Sequence, residues 1–471
     1  MTVDETQKAE TVVCERELNK AIEEAVEDNK GEDSRAEERN VECPVPESVE
    51  KSSSYREESS FFSDLKESER KALTELKSRI EDAILENNLF NEGKKGNEKS
   101  SEKEENSDAK EAGQQQAEAE NFEEDSCLWG VPLLPSKGSK GTDVILLKFL
   151  RARDFKVNEA FQMLKKTLQW RKKNKLDSIM EEDFGTDLSS AAHLNGKDRA
   201  GHPVCYNMFG LFGNKELYQN TFGTEEKHDQ FLRWRFQLME KGIKELDFKP
   251  DGVTSILQIN DLKNCPGPSK KELRNATFKA IALLQDNYPE LVAKNVFVNV
   301  PFWYYAFYSL VSPFLTQRSK SKFVVARPAK VTETLLKYIS LGEIPTQYGG
   351  FKHENDFKFS DQDDGILELE VKAGSALAIQ LPAQEVESTL IWDITILGWE
   401  VDYKEEFIPM NEGSYAVIIS KETNMASDKG PIRNSFTNNE PGKVVLTISN
   451  SSSKKKRVFY RYTSQKNNSS S

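Results

Sequence analysis

Three cations at alternate positions, Arg318, Lys320 and Lys322, follow directly on an aromatic run from Phe302 to Leu315. The run before them holds Phe302, Trp303, Tyr304, Phe307, Leu310 and Phe314, and only Ser309 and Ser312 are clearly polar. A helix without a polar face is buried on every side or meets lipid. This one is too short to cross a bilayer, which takes about 20 residues. An apolar lid ending in a basic turn fits a ligand with an apolar body and an anionic head. Signatures of catalysis are missing: the chain has no GxSxG, HExxH, Walker loop or GxGxxG. Its histidines, His193, His202, His228 and His353, are not at metal-ligand spacing and read as turn or surface residues. The expectation is a binding protein, not an enzyme, with no metal and no cofactor.

Short apolar segments must position these residues. Asn295 to Pro301 is Val/Phe-rich and stopped by proline, as a buried strand should be, and Phe323 to Ala326 is another. His202–Phe209 and Val253–Leu262 read as further strands. Helical patterns lie between and after them, at Glu225–Leu246, Lys270–Leu284 and Thr332–Leu341. Strands alternating with helices predict a mostly parallel α/β sheet from about residue 190 to 352. Ahead of it, Phe61–Leu85, Asp143–Ala152 and Asn158–Lys173 carry helical stripes, the last with Asn158 as the expected N-cap. They predict a helical lobe over 61–90 and 129–180. Beyond about residue 356 the period becomes two: Leu367, Leu369 and Val371 alternate with Glu368, Glu370 and Lys372. An all-β sandwich over 356–465 follows.

Charge divides the chain unevenly. The whole carries −13, and residues 1–125 hold 37 acidic against 18 basic side chains, so the remainder is mildly basic. Residues 1–58 and 91–125 are charge-rich and aromatic-poor, and are expected to be a disordered acidic tail and a disordered linker. No apolar run is long enough for a membrane span, and MTVDETQKAE lacks the features of a secretory signal. Five scattered cysteines form no CxxC and read as reduced thiols of a cytosolic protein. Nucleic acid is not an expected partner.

Asp143–Arg171 (DVILLKFLRARDFKVNEAFQMLKKTLQWR), Tyr288-Pro289-Glu290, Asn299-Val300-Pro301-Phe302 and Pro345 to Gly350 resemble a CRAL-TRIO lipid-binding domain. The segment 365–463 resembles a GOLD β-sandwich, and the order of acidic tail, CRAL-TRIO and GOLD is similar to the plant patellins. The resemblance implies a helical lobe beside an α/β lobe, a pocket for one lipid and a mobile helix at its mouth, here Phe302–Leu315. From the residues alone, that helix reads equally as core. A closed gate is core, and an open one lays its aromatics on the bilayer interface.

Carried over by position, the resemblance implies phosphoinositide headgroup contacts at Arg153, Glu290, Ser319 and Lys322. It departs at Asp154, where relatives place a lysine, and at Ile256 and Gln258, where relatives place phosphatidylcholine-binding hydroxyls. The run Lys454, Lys455, Lys456 and Arg457 reads either as an anionic membrane contact or as a solubilising hairpin tip. The function implied is lipid binding and transfer by a monomer at anionic membranes, in trafficking, cell-plate formation and cytokinesis. The plasma membrane, cell plate and endosomes are the expected locations. The other reading is a trafficking adaptor that binds proteins through GOLD and keeps a structural lipid.

Overall fold

The computed structural model describes residues 56–86, 88–90, 127–135, 139–267, 270–301, 304, 317–356, 358–359, 365–426 and 429–466. These fall into two compact units. One takes the described residues up to 325 except 196–200 and 298–300. The other takes those two short segments and everything from 326 onward. The expected linker 91–125 and most of the acidic tail lie outside the described residues. The tail's end does not: Arg56 to Ser60 is placed, which corrects the boundary drawn at residue 58.

The first unit begins with α1 (Glu67–Leu85), whose Leu73, Leu76, Ile80 and Ile84 form one buried stripe. That stripe packs on α2 (Lys140–Ala152) and α3 (Val157–Lys173). Between α1 and α2 a small hairpin, β1 (Cys127–Leu128) with β2 (Val131–Pro132), presents Trp129. Its ring stacks on Phe149, Phe248 and Tyr288 with centroids about 6 Å apart. The expected cap of α3 is corrected. Lys156 occupies the N-cap without a side-chain bond, and Asn158 lies inside the first turn, where its Oδ1 accepts from Arg79. Helix α2 is buried from Gly141 through Arg151, and this includes two cations, Lys148 and Arg151.

After α4 (Thr186–Ala191) comes a five-stranded sheet in spatial order β3 (Ala192–Lys197), β4 (Pro203–Met208), β5 (Ile256–Asp261), β6 (Val292–Val298) and β7 (Phe323–Val325). The β4–β5 and β6–β7 pairs are parallel. Residues 203–207 of β4 are buried without alternation, as expected of a strand covered on both faces. The connections carry α5 (Lys215–Phe222), α6 (Glu225–Ile243), α7 (Lys271–Asn287) and α8 (Gln317–Ser321). Helix α6 lies close on the sheet because Gly242 has no side chain. A Cβ there would stand 2.5 Å from Ile256 Cδ1.

In the second unit the helix expected over Thr332–Leu341 is shorter, α9 (Val331–Leu335), and the chain then continues in turns. The sandwich follows as two four-stranded antiparallel sheets. One has the order β13 (Ile432–Thr437), β10 (Ser388–Ile396), β15 (Lys456–Lys466), β8 (Leu367–Val371). The other has the order β12 (Val417–Glu422), β11 (Asp402–Pro409), β14 (Gly442–Asn450), β9 (Ser375–Ala383). Trp392, Trp399, Tyr403 and Leu446 fill the space between them. Glu405 is fully buried there, and accepts from Trp392 Nε1 at 3.0 Å, Tyr403 OH at 2.8 Å and Asn434 Nδ2 at 2.7 Å. Its charge is tolerated because its lone pairs are occupied. Among the described residues no helix is long and apolar enough to cross a membrane.

Candidate functional site

The site is built around Glu290, which ends the Tyr-Pro-Glu turn in the left-handed region with φ +55. Its carboxylate accepts from Arg318 Nε and from Lys322 Nζ, both at 2.7 Å. Lys322 is buried and donates also to the Val292 carbonyl at 2.9 Å. Lys148 reaches in from α2, donating to the Glu290 carbonyl at 2.8 Å and to Thr254 Oγ1 at 3.3 Å. Arg151 follows three residues later on the same face of α2. The two carboxylates that answer these cations come from far away in sequence. Glu58 receives both terminal nitrogens of Arg318 at 2.9 Å in a fork, and lies 3.0 Å from Arg151 Nε. Arg151 also donates to the Ser59 carbonyl at 2.6 Å. Glu57 accepts from Ser255 Oγ at 2.5 Å and pairs with His202 Nε2 at 2.9 Å.

Electrostatics follow from this packing. Burial pulls Lys148 down to about 7, against the opposing attraction of Glu57 and with repulsion from Lys322. Burial alone would raise Glu57, but hydrogen bonds from His202 and Ser255, with Lys148 nearby, bring it down to about 2. The hydrogen bonds from Arg318 lower Glu58. Glu290 is lowered too, because Lys322 and Arg318 together outweigh its burial.

Of the residues singled out from sequence, Glu290 and Lys322 meet. Ser319 lies on α8, where its carbonyl accepts from the Lys322 amide at 3.2 Å. Arg153 is not brought in. It caps α2 with φ −125, donates to the Ala152 carbonyl at 3.1 Å, and its charge acts on Asp286. Lys148 and Arg151, from the turn of α2 before it, reach the Glu290 carbonyl and Glu58 instead. Asp154 is exposed, so its charge faces water. In the aromatic run, Tyr304 is buried and its ring lies 5.3 Å from Phe297, which in turn meets Phe323. Phe302, Trp303, Phe307, Leu310 and Phe314 lie outside the described residues. In the sandwich, Lys456 is corrected from a membrane-facing to an inward side chain. It is 8% exposed and donates to the Gly398 carbonyl at 2.8 Å and to Glu400 at 3.2 Å. Lys455 pairs with Glu370 at 2.8 Å and Arg457 with Glu368 at 2.6 Å. No group of metal-ligating side chains is found among the described residues.

An α/β lobe with a buried cationic cluster, followed by an antiparallel sandwich, defines a CRAL-TRIO and GOLD protein. Family models agree in the same order: the CRAL/TRIO N-terminal domain over residues 72–166, the CRAL/TRIO domain over 189–350 and the Patellin-1-like C-terminal GOLD domain over 372–456. Patellin-4 of Arabidopsis thaliana is 50% identical over 90% of this chain and 92% of its own length. Patellin-3 of the same plant is 46% identical over 87% of this chain and 77% of its own length. The chain belongs to the patellin family. A more distant relative, the phosphatidylinositol transfer protein SFH5 of Scheffersomyces stipitis, is 29% identical over 52% of this chain and 77% of its own length.

Proposed function

We propose that this chain is a peripheral lipid-binding and transfer protein that takes a phosphoinositide, with the Arg318–Lys322–Glu290 cluster as its headgroup site. One observation carries the reading. Lys148, Arg318 and Lys322 converge from two separate segments on Glu290, the first on its carbonyl and the other two on its carboxylate, and Glu58 meets Arg151 and the rest of Arg318 while Glu57 lies beside Lys148. The fork that Arg318 makes to Glu58 is the geometry it would make to two phosphate oxygens. The two carboxylates thus stand where an anionic headgroup would. The name carried by the SFH5 relatives supports the same ligand class. The protein would work from the cytoplasm on the plasma membrane, cell plate or endosomes, in trafficking and cytokinesis. The test is extraction of lipid from the purified full chain, with mass spectrometry and exchange against labelled phosphatidylinositol vesicles. A stoichiometric, exchangeable phospholipid is expected. An empty protein that loads nothing overturns the reading.

A second reading, a trafficking adaptor, is favoured by the turn between β11 and β12. Met410 and Tyr415 in that turn are 68% and 92% exposed, and Ile418 at the start of β12 is 62% exposed. Exposed apolar residues in a group mark interaction surfaces. A bound lipid that never exchanges would favour that reading.

A further inference from the structure

One end of the β-sandwich carries an ordered apolar surface that the headgroup cluster does not use. Asn438, 1% exposed, organises it. Its side-chain nitrogen donates to the Ala383 carbonyl at 3.1 Å and to the Glu440 carbonyl at 3.0 Å, and its backbone carbonyl accepts from the Glu387 amide at 2.8 Å. The Met410 amide donates to the Pro441 carbonyl and Ser414 Oγ to the Glu440 carboxylate, both at 2.8 Å. The β9–β10, β13–β14 and β11–β12 connections are thereby tied into one platform. Val386, Met410 and Tyr415 stand exposed on it, and Val417 and Ile418 continue the apolar surface along β12, an edge strand of its sheet. Because hydrogen bonds already fix these loops, covering the surface costs little ordering of the chain.

The uncompensated charges of the platform have one sign. Glu387, Glu412 and Glu440 lie in the three connections, and among the described residues no cation pairs with them. Glu385 beside them pairs with Lys466 at 3.2 Å, and Lys443, at this end of β14, donates to Gln380 Oε1 at 3.1 Å. The basic run 454–457 lies at the opposite end. Strand β14 leaves the platform where Gly442 pairs with Pro409, and runs its whole length to Asn450 before the loop that holds Lys454. At about 3.4 Å per residue this separates the two ends by roughly 25–30 Å, beyond a Debye length of about 8 Å at physiological salt.

An anionic leaflet drawn to that run meets the far end of the sandwich, and the platform's glutamates repel one. The chain's own residues 1–125, with 37 acidic and 18 basic side chains, are repelled likewise. What complements both the apolar surface and its acidic rim is a segment that carries apolar and basic side chains together. We propose that this platform docks a basic amphipathic segment of a partner protein, with Met410 and Tyr415 as apolar anchors and Glu387, Glu412 and Glu440 as the charged rim. The inference rests on the adaptor reading and gives its partner a chemistry.

The test uses the full chain as parent, Met410→Ser with Tyr415→Ser, and Glu387→Gln with Glu412→Gln and Glu440→Gln. The probes are a synthetic amphipathic peptide of Leu and Lys, its Leu/Glu and Ser/Lys counterparts, and phosphatidylcholine vesicles. Fluorescence anisotropy follows the peptides and cosedimentation the vesicles. The parent should bind the Leu/Lys peptide and neither counterpart with comparable affinity. The serine pair should lose about tenfold, the weight of an aromatic anchor. The glutamine triple should lose several-fold at low salt and nothing at high salt. Both variants should melt with the parent, since the changed side chains do not build the core. The proposal needs both losses. Equal binding by parent and variants places the peptide on the acidic N-terminal residues and overturns it, as does a loss in one variant alone, a Ser/Lys peptide that binds as well, or a parent that binds no peptide. Vesicle binding that the serine pair abolishes makes the platform a membrane contact and overturns it too. Lipid exchange by the same variants should match the parent, and that separate measurement decides between the transfer and adaptor readings whatever becomes of the platform.

Discussion

In the sandwich, Asp393 is 1% exposed and is held by Arg433 at 2.6 and 2.7 Å and by Arg461 at 2.7 Å. Both arginines are its direct cross-strand partners, Arg433 on β13 and Arg461 on β15. Asp356 adds a second carboxylate, 2.8 Å from Arg433. In the lipid lobe the same charge types are arranged differently. Lys148, Arg318 and Lys322 meet at Glu290 and Arg151 meets Glu58, and the two further counter-charges, Glu57 and Glu58, lie 198 residues before Ser255 and 260 before Arg318. They belong to no helix or strand. The core of the first cluster is balanced within one sheet, where register delivers Arg433 and Arg461 to Asp393, and Asp356 joins from the chain ahead of β8. The second is balanced by a segment held chiefly through the bonds it makes there. A buried ion group of the first kind fixes a fold. One of the second kind can exchange its anions for others of the same chemistry.

The largest effect should come from breaking the balanced cluster. Asp393→Ala leaves two arginines without their main counter-charge and should destabilise the sandwich by about 3–5 kcal/mol. Denaturant unfolding of the full chain checks this, and lipid loading at low temperature should be kept. A loss below about 1 kcal/mol would mean that Asp393 is not the lock. Next is Lys322→Ala. Glu290 keeps Arg318, so the fold should survive, while phosphatidylinositol loading should weaken by about 1.5–3 kcal/mol, the worth of a charged hydrogen bond. Normal loading by a normally folded variant would sink the headgroup assignment.

A smaller change separates the two clusters most directly. Glu57→Gln with Glu58→Gln removes the internal competitor, so affinity for phosphatidylinositol vesicles should rise by up to roughly tenfold. No rise would show that the segment does not compete. The pH dependence has two signs. Lys148 ionises at about 7 in the folded chain and near its ordinary, much higher value when unfolded. The unfolded chain therefore holds more protons between those values, and stability rises with pH from about 7 upward. The cluster loses positive charge over the same rise, so anion affinity should fall between pH 6 and pH 8. Lys148→Met should flatten both slopes. Glu57, lowered to about 2, contributes fully above its unfolded value and is lost only as pH falls through the acid range.

The fold was legible because the hydrophobic period changes from helical to alternating near residue 356, and because Tyr288-Pro289-Glu290 and the closing Gly349-Gly350 stand at family spacing. The site was legible only in part. Glu290 and Lys322 follow from motif position. Arg153 does not, because α2 ends at Ala152 and the cap geometry swings the next residue toward Asp286. A signal for the cations that the structure brings to Glu290 and Glu58 was present in the helix DVILLKFLRA: Lys148 and Arg151 are three apart on a helix buried over most of its length, and a buried cation needs a partner. Glu57 and Glu58 carried no such signal. Each is one glutamate among many in a charged stretch, and only tertiary contact distinguishes it.

The smallest effect concerns the basic run of the sandwich, which lies between the two extremes. Lys456 is tied inward and is left aside. Lys454 and Lys455 are exposed and Arg457 is half-buried; Lys455 pairs with Glu370 and Arg457 with Glu368 on β8, which leaves one net positive charge in the group. Exposed pairs of this kind hold each other by less than about 1 kcal/mol, so they set the local potential more than the stability. One net charge near an anionic leaflet is worth about 1 kcal/mol. Changing Lys454, which faces neither glutamate, to Gln removes that one net charge and should therefore weaken binding to phosphatidylserine vesicles several-fold at low salt, and not measurably once ionic strength shortens the Debye length to a few ångströms. Glu368→Gln with Glu370→Gln should strengthen the same binding. A hundredfold loss in the first variant would mean that Lys454 makes a specific headgroup contact and not a diffuse one. Unchanged binding in both variants at every salt concentration would leave the run as a solubilising edge.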